Sequence, residues 1–259
     1  MQELAECPFC EGREDQTPPE TLALGRERGA PDTPGWLLRV VPNLYPALER
    51  QEVVIHGPVH VRSLADLDDG LLALVGEAWR LRARAGRDQG LPHLHALVNE
   101  GRDAGASLPH SHSQLVWLPE EAPAVRAERG NGECRLCALL ARERVDGRRL
   151  VAERDGCIAL CPPAGRMPYE LLVTPLAHEE DGFESPFLVA ALSLTAAMLR
   201  RLRSVEGPRP LNLWLHGGDH WHLEVLPRLT VLAGLELGAE VYVNSLPPEE
   251  AAARLRASP

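Results

Sequence analysis

The chain has 259 residues, 44% of them hydrophobic, enough to bury an ordinary core as one large domain or two small ones. A formal net charge of −10 at pH 7 argues against non-specific binding to nucleic acid or anionic membrane, because the long-range field repels polyanions. All 27 basic residues are arginine, which removes lysine Schiff-base chemistry and a P-loop lysine, and no run approaches the ~20 apolar residues of a membrane span.

The N-terminal "MQELAECPFCEG" is acidic and polar, unlike a signal peptide, so the cytoplasm is the expected compartment. Six cysteines there are a poor fit to a disulfide framework. "MQELAE" is no buried strand, so Cys7 and Cys10 of "CPFC" lack the strand-before, helix-after setting of a thioredoxin-like redox pair, and metal binding is the better reading. Next, "WLLRVVPNLYPAL" (36–48), "EVVIHG" (52–57) and "HLHALVNEG" (93–101) predict strands or strand ends. "LADLDDGLLALVGEAWRLRARAG" (64–86), opened by Ser63, predicts one amphipathic helix. His60 follows a strand-like run and a proline, while His56, His93 and His95 read as hydrogen-bonded structural histidines.

"NEGRDAGAS" then offers Gly101, Gly105 and Ser107, whose backbone N–H groups and hydroxyl suit a phosphate cradle. In "HSHSQ", residues two apart on a strand share a face, so His110, His112 and Gln114 make one row and Ser111 and Ser113 the other. One imidazole can ligate while its neighbour faces a substrate. Gln114 can donate from its amide to an anionic oxygen beside His112.

After the stretch "PEEAPAVRAERGNGE" (119–133) the pattern returns. Cys134 and Cys137 of "CRLC" are followed by His178 after "LLVTPLAH", and then by His220 and His222 of "HWH". Cysteine-to-histidine and histidine-to-histidine intervals are 50 and 50 residues in the first half, 41 and 42 in the second. Two copies of a roughly 130-residue unit follow, with halves at residues 1–125 and 126–259. "RRLVAERDGCIALCP" (148–162), "YELLVTP" (169–175), "LNLWLH" (211–216) and "HWHLEVLPR" (220–228) predict strands, and "SPFLVAALSLTAAMLRRLRSV" (185–205) a helix. Cys157 and Cys161, in apolar company, read as packing residues. No βαβ alternation is visible, so the class is α+β with a largely antiparallel sheet.

Two thiolates and two imidazoles make a four-ligand tetrahedral zinc site with no open position, hence a structural one. Cys7, Cys10, His60 and one histidine of the first HxH pair meet that count. In the second half Cys134, Cys137 and His178 await a histidine of the second pair, with His216 in "LWLHGGDH" as a competing ligand. One or two zinc ions per chain are expected. The second row, His220, His222 and Glu224, puts a carboxylate where the first has an amide, and it would repel a phosphate. "LHGGD" is too short to repeat the glycine-rich loop, so one active site and one degenerate copy are expected.

The motifs "CPFCEGREDQTPPE", "WLLRVVPNLYPAL", "NEGRDAGASLPHSHSQ", "PYELLVTPLAH", "HWHLEVLPRLT" and "AGLELGAEVYVNSLPPEEAAARLR", in this order, resemble the galactose-1-phosphate uridylyltransferase branch of the histidine-triad superfamily over nearly the whole chain. The resemblance implies two tandem histidine-triad-like units, each a mainly antiparallel sheet with a packed helix, the first catalytic and the second degenerate. It implies a double-displacement nucleotidyltransferase of carbohydrate (galactose) metabolism. In it His112 attacks the α-phosphorus of a nucleotide sugar, expels a sugar 1-phosphate and carries the nucleotide, UMP by expectation, to a second sugar phosphate. By the same match Gln114 steadies the transferred phosphoryl oxygens, and Gly105 and Ser107 hold phosphates. Asn43 and Asn99 lie near the nucleotide, and Glu236 takes hexose hydroxyls. His110 joins Cys7, Cys10 and His60 on zinc, with His220 the matching ligand beside Cys134, Cys137 and His178. A homodimer is implied as well. Ser111 stands where many uridylyltransferases have proline and is also seen in related ADP-glucose phosphorylases, while Ala239 and Glu240 replace the usual threonine and glycine after Gly238. A nucleotide-sugar phosphorylase or a nucleotide hydrolase is therefore the alternative enzyme. The alternative outside enzymology is a zinc-stabilised nucleotide-binding protein.

Overall fold

The computed structural model describes residues 7–129 and 132–259; the hexapeptide "MQELAE", expected to form no strand, lies outside them. Among the described residues ten strands run in chain order as β1 (Leu22–Leu24), β2 (Leu38–Pro42), β3 (Gln51–Ile55), β4 (Leu94–Glu100), β5 (His112–Trp117), β6 (Leu150–Arg154), β7 (Cys157–Leu160), β8 (Leu171–Pro175), β9 (Leu211–His216) and β10 (His222–Pro227). The helices are α1 (Asp69–Asp88), α2 (Pro123–Glu128), α3 (Arg135–Asp146), α4 (Leu188–Glu206), α5 (Gly234–Ala239) and α6 (Pro248–Ala257).

All ten strands form one antiparallel sheet in the order β1-β2-β3-β5-β4-β9-β10-β8-β7-β6. Its middle is the pairing of β4 with β9, which sets Leu97 opposite Trp214 and Asn99 opposite Asn212. Read inward from the two ends, β2-β3-β5-β4 on one side is matched by β7-β8-β10-β9 on the other. The expected separate sheet for each half is thus replaced by a shared one, since β4 and β9 each offer an edge that the other satisfies. The boundary expected at residues 125 and 126 falls inside α2.

Two predicted elements divide. Residues 64–86 do not form one helix. Ser63 Oγ accepts the Ala65 N–H at 3.1 Å and caps only a 3-10 turn at Leu64–Asp66. The chain then extends at Leu67, and Asp68 Oδ1 accepts the Leu71 N–H at 2.8 Å to start α1. Two short polar side chains in series each satisfy an orphan N–H, so there are two starts. The run 148–162 breaks into the β6–β7 hairpin at Asp155 and Gly156, both at positive φ (52° and 76°), as a two-residue type I′ turn requires.

Helices α1 and α4 pack against one face of the sheet and against each other. Leu72, Val75 and Trp79 of α1 and Leu188, Leu192 and Leu199 of α4 share one core with Val40, Val54, Val98 and Leu115 of the first half and Val173, Leu213 and Val225 of the second. Gly76 permits the helix crossing, because a Cβ there would stand 3.1 Å from Val189 Cγ2. Cys157 and Cys161 are buried in this core as packing residues. Side chains alternate along each strand, so Asn99, His112, Gln114 and Asn212, next to core residues Val98, Leu115 and Leu213, face the side without these helices. Among the described residues, no helix is long and apolar enough to cross a membrane.

Candidate active site and metal clusters

Strand β5 starts at His112, so His110 lies just ahead of the strand, while His112 and Gln114 keep the expected common face. On the opposite face Ser111 and Ser113 both meet the ring of fully buried His56, at 3.0 and 3.1 Å, and Trp79 Nε1 donates to Ser113 Oγ at 2.8 Å. Burial holds the His56 pKa well below its ordinary value, with His112 and His110 adding to it. The structural reading of His56 is correct, and its serine clamp fixes the strand that carries His112.

Main-chain carbonyls settle which nitrogen of each histidine carries a proton. His110 Nε2 lies 3.1 Å from the Gly57 carbonyl, which can only accept, so the bare Nδ1 faces Cys7 Sγ at 3.5 Å and Cys10 Sγ at 3.8 Å. His112 is the reverse: Nδ1 donates to the His110 carbonyl at 2.7 Å, leaving Nε2 with its lone pair. Burial lowers the His112 pKa, against that hydrogen bond, so the ring is neutral. A neutral imidazole with a bare Nε2 is a competent nucleophile. Phe9 meets the His112 ring edge-on, with centroids 5.3 Å apart. Sequence reasoning missed Phe9, although an aromatic residue inside the "CPFC" turn was a signal.

Cys7, Cys10, His60 and His110 converge, their donor atoms all within 4.8 Å of one another. A tetrahedral ion of zinc's size sets sulfur–nitrogen edges of about 3.6 Å. The sulfur to Nδ1 distances are 3.5 Å (Cys7–His110), 3.6 Å (Cys10–His60) and 3.8 Å (Cys10–His110). Burial, with Cys7 beside it, pushes the Cys10 thiol up to about 11, so a bound cation is what would make Cys10 a thiolate. Cys134, Cys137, His178 and His220 form a second such group. Its distances are 3.3 Å (Cys137–His178), 3.4 Å (Cys137–His220) and 3.9 Å (Cys134–His220). His220 Nε2 lies 3.1 Å from the Pro175 carbonyl and His222 Nδ1 lies 3.1 Å from that of His220, repeating the arrangement of the first half. Both donor sets fit a four-coordinate ion, with a main-chain carbonyl behind one imidazole of each, Gly57 behind His110 and Pro175 behind His220.

His216 does not compete for the second group. It stacks on His222, with centroids 4.8 Å apart, and its Nδ1 lies 3.2 Å from Glu224 Oε1. His216, His222, Glu224 and Glu128 make a third convergent set, of which sequence reasoning saw only His216 as a ligand. Burial alone would raise the Glu224 pKa, but hydrogen bonds from His216 and His222 and the charge of Arg166 hold it well below the carboxylate range. Arg166 pairs with both Glu170 and Glu224, so the carboxylate in the second row already has its partner within the fold.

Asn99, on β4, neighbours the His112 row, and the loop that follows contains a 3-10 turn at Arg102–Ala104 ending on Gly105 at φ +90°. Here the cradle differs from expectation. The Gly105 N–H donates to the Arg102 carbonyl at 2.9 Å and that of Ala106 to Gly101 at 3.2 Å, so these two donors are spent inside the loop. The positive φ is what calls for glycine at position 105, and the Asn99 amide lies beside it, its Nδ2 3.7 Å from where a Cβ would stand, an ordinary contact. Ser107 is exposed on the same loop. Asn43 N–H donates to the Gln51 carbonyl at 2.8 Å, and Asn43 Oδ1 accepts the Tyr45 N–H at 3.0 Å, which seats Asn43 in a turn on the β3 side of Gln114. Glu236 is not brought to this group: within the chain its carboxylate caps its own helix, accepting the Ala233 N–H at 2.9 Å.

No family model matches the chain. It is 28% identical to ADP-glucose phosphorylase of Arabidopsis thaliana over 96% of this chain and 81% of the relative. It is 26% identical to galactose-1-phosphate uridylyltransferase of Thermotoga maritima over 79% of this chain and 73% of that one. The crystal structure of an Arabidopsis thaliana ADP-glucose phosphorylase with bound ADP-glucose superposes with a TM-score of 0.86 at 26% identity, covering 98% of this chain and 90% of that one. The resemblance read from the motifs therefore holds across most of the chain, and these homologues support an enzyme of nucleotidyl transfer or phosphorolysis.

Proposed function

We propose that the chain transfers a nucleoside monophosphate from a nucleotide sugar through a covalent intermediate on His112. The observation that carries this reading is the unprotonated Nε2 of the largely buried His112, set by the His110 carbonyl that accepts from Nδ1. Nε2 attacks the α-phosphorus, forming an N–P bond as the bond to the bridging oxygen breaks, and the sugar 1-phosphate leaves with that electron pair. An oxygen of the acceptor phosphate then attacks the same phosphorus and returns the electron pair of the N–P bond to His112. The proton stays on Nδ1, hydrogen-bonded to the His110 carbonyl, throughout, so the ring needs no proton shuttle to act twice.

Gln114 and Asn99 flank the phosphoryl group, Gly105 and Ser107 form the loop beside it, and Asn43 lies at the nucleotide end. Glu236 takes hexose hydroxyls, which in a homodimer it would reach in the site of the partner copy. Tyr45, Val231, Leu237 and Val243 are apolar and exposed, which supports such an assembly. Cys7, Cys10, His60 and His110 would hold one zinc ion, and Cys134, Cys137, His178 and His220 a second. Zinc would supply a rigid cross-link rather than a reacting centre, fixing the His110 carbonyl that orients His112. We read the chain as two tandem histidine-triad-like units, the first active and the second degenerate. The mirrored strand order and the repeated carbonyl–imidazole pattern support that reading.

Our first reading is transfer of UMP between hexose 1-phosphates. The second, phosphorolysis of ADP-glucose, is favoured by the greater share of the chain matched to ADP-glucose phosphorylase. Intact-mass spectrometry after incubation with UDP-glucose or ADP-glucose tests both: a gain of UMP or of AMP, absent in His112→Ala, names nucleotide and nucleophile together. Release of the adduct by hexose 1-phosphate or by inorganic phosphate names the acceptor. Absence of any adduct despite nucleotide binding would sink the covalent mechanism. Metal analysis should find two zinc ions per chain, falling to one in His220→Ala.

A further inference from the structure

An amide side chain is nearly isosteric about its two ends, yet only the NH2 end attracts a phosphoryl oxygen. Gln114 and Asn99 help at the site only if each turns that end outward. In both, the direction is fixed by a relay of hydrogen bonds ending on a main-chain group that has no choice of role.

On one side the Ala47 N–H donates to Gln51 Oε1 at 2.8 Å. The other end of Gln51 is therefore Nε2, which donates to Gln114 Oε1 at 2.5 Å and leaves the Gln114 NH2 group for a ligand. On the other side the Ala104 carbonyl accepts from Asn212 Nδ2 at 2.8 Å. That same nitrogen donates its second proton to Asn99 Oδ1, also at 2.8 Å, and leaves the Asn99 NH2 group over Gly105. Gln51 is buried at 7% exposure, and Asn212 sits directly opposite Asn99 across the β4–β9 joint.

We infer that Gln51 and Asn212 are positioning residues: through these two relays they hold Gln114 and Asn99 with their donors toward the phosphoryl oxygens of a bound nucleotide. The inference rests on the reading of His112, Gln114 and Asn99 as the nucleotide site. It gives the second half a part in the first half's chemistry, because Asn212 belongs to β9.

Gln51→Glu keeps the size and the acceptor for Ala47 but removes the N–H, so Gln114 must turn its own NH2 inward and present its oxygen. Gln51→Met removes the relay without reversing it. Asn212→Asp and Asn212→Leu make the corresponding pair. Binding of UDP-glucose and ADP-glucose, and of the phosphate-free nucleosides uridine and adenosine, is measured by calorimetry in a His112→Ala background, alongside thermal unfolding. The expected result is an order. Gln51→Glu weakens nucleotide-sugar binding more than tenfold and further than Gln51→Met, Asn212→Asp further than Asn212→Leu, and nucleoside binding is unchanged. Equal losses within each pair, or parallel losses for nucleoside and nucleotide sugar, would overturn the inference in favour of a merely structural role. A His112-intact chain that binds a nucleotide sugar without forming an adduct refutes covalent transfer only, since the binding order still decides Gln51 and Asn212. No affinity for either nucleotide sugar overturns both.

Discussion

What the first histidine of "HSH" can do is decided by a carbonyl far away in the chain, that of Gly57, and the second then takes the carbonyl of His110, two residues before it. Strand alternation alone puts His112 and Gln114 on one face and the serines on the other, and it was right because each residue's direction depends on its neighbours. The tautomers were not legible: the carbonyl behind His110 comes from Gly57, far back in the chain. The same holds for the charged cluster around Arg39, which is 1% exposed and held by Glu20, Asp32 and Thr17. The hydrogen bond from Arg26, against burial and with help from Arg39, lowers the Glu20 pKa to about 2. A folded pKa below the unfolded value of 4.5 means this stabilisation is complete above that value and is lost as pH falls through about 2. Glu20→Gln should therefore cost ~3 kcal/mol near neutral pH, as for a broken buried pair. In urea unfolding its deficit against the parent should shrink by about pH 3; an equal deficit at both values would show that packing, not charge, is what the substitution removes.

At the scale of elements, caps and close approaches outweigh intrinsic propensity. The helical period across residues 64–86 predicted one helix, but Ser63 and Asp68 each offer a cap and the structure uses both. "DG" at 155 and 156 carried the hairpin signal inside what reads as a single apolar run. In α1, Gly86 is a residue that propensity would replace with alanine for a gain of up to ~1 kcal/mol. A Cβ there would meet Trp117 Nε1 at 2.0 Å, and Arg50 lies over that indole at 4.2 Å from its centroid. Gly86→Ala is expected to destabilise by ~1–3 kcal/mol, since the ring is packed and cannot give way freely. A raised melting temperature for this variant would show that the indole yields.

Across the whole molecule, the β4–β9 joint and the common core tie the halves together. Helix α1 of the first half packs on α4 of the second, and Arg84 and Arg87 of α1 pair with Glu184. The protein is therefore expected to unfold in one calorimetric transition with calorimetric and van't Hoff enthalpies in agreement. Two resolved transitions would make the halves independent domains.

By itself the sequence determined the chemistry-bearing parts: the two Cys-x-x-Cys pairs, the HxH rows, the order and spacing in which they recur, and most of the strands. These are written in residue identity and in periods of a few residues, so near neighbours suffice to read them. Tertiary structure alone decided that the two halves share one sheet, that His216 stands with Glu224 rather than with the cysteines, and that the Gly105 N–H is spent within its loop. It alone decided which end of each amide and which nitrogen of each imidazole faces the site. A hydrogen bond's polarity is set by the partner opposite, and that partner is chosen by strand register across residues far apart in the chain.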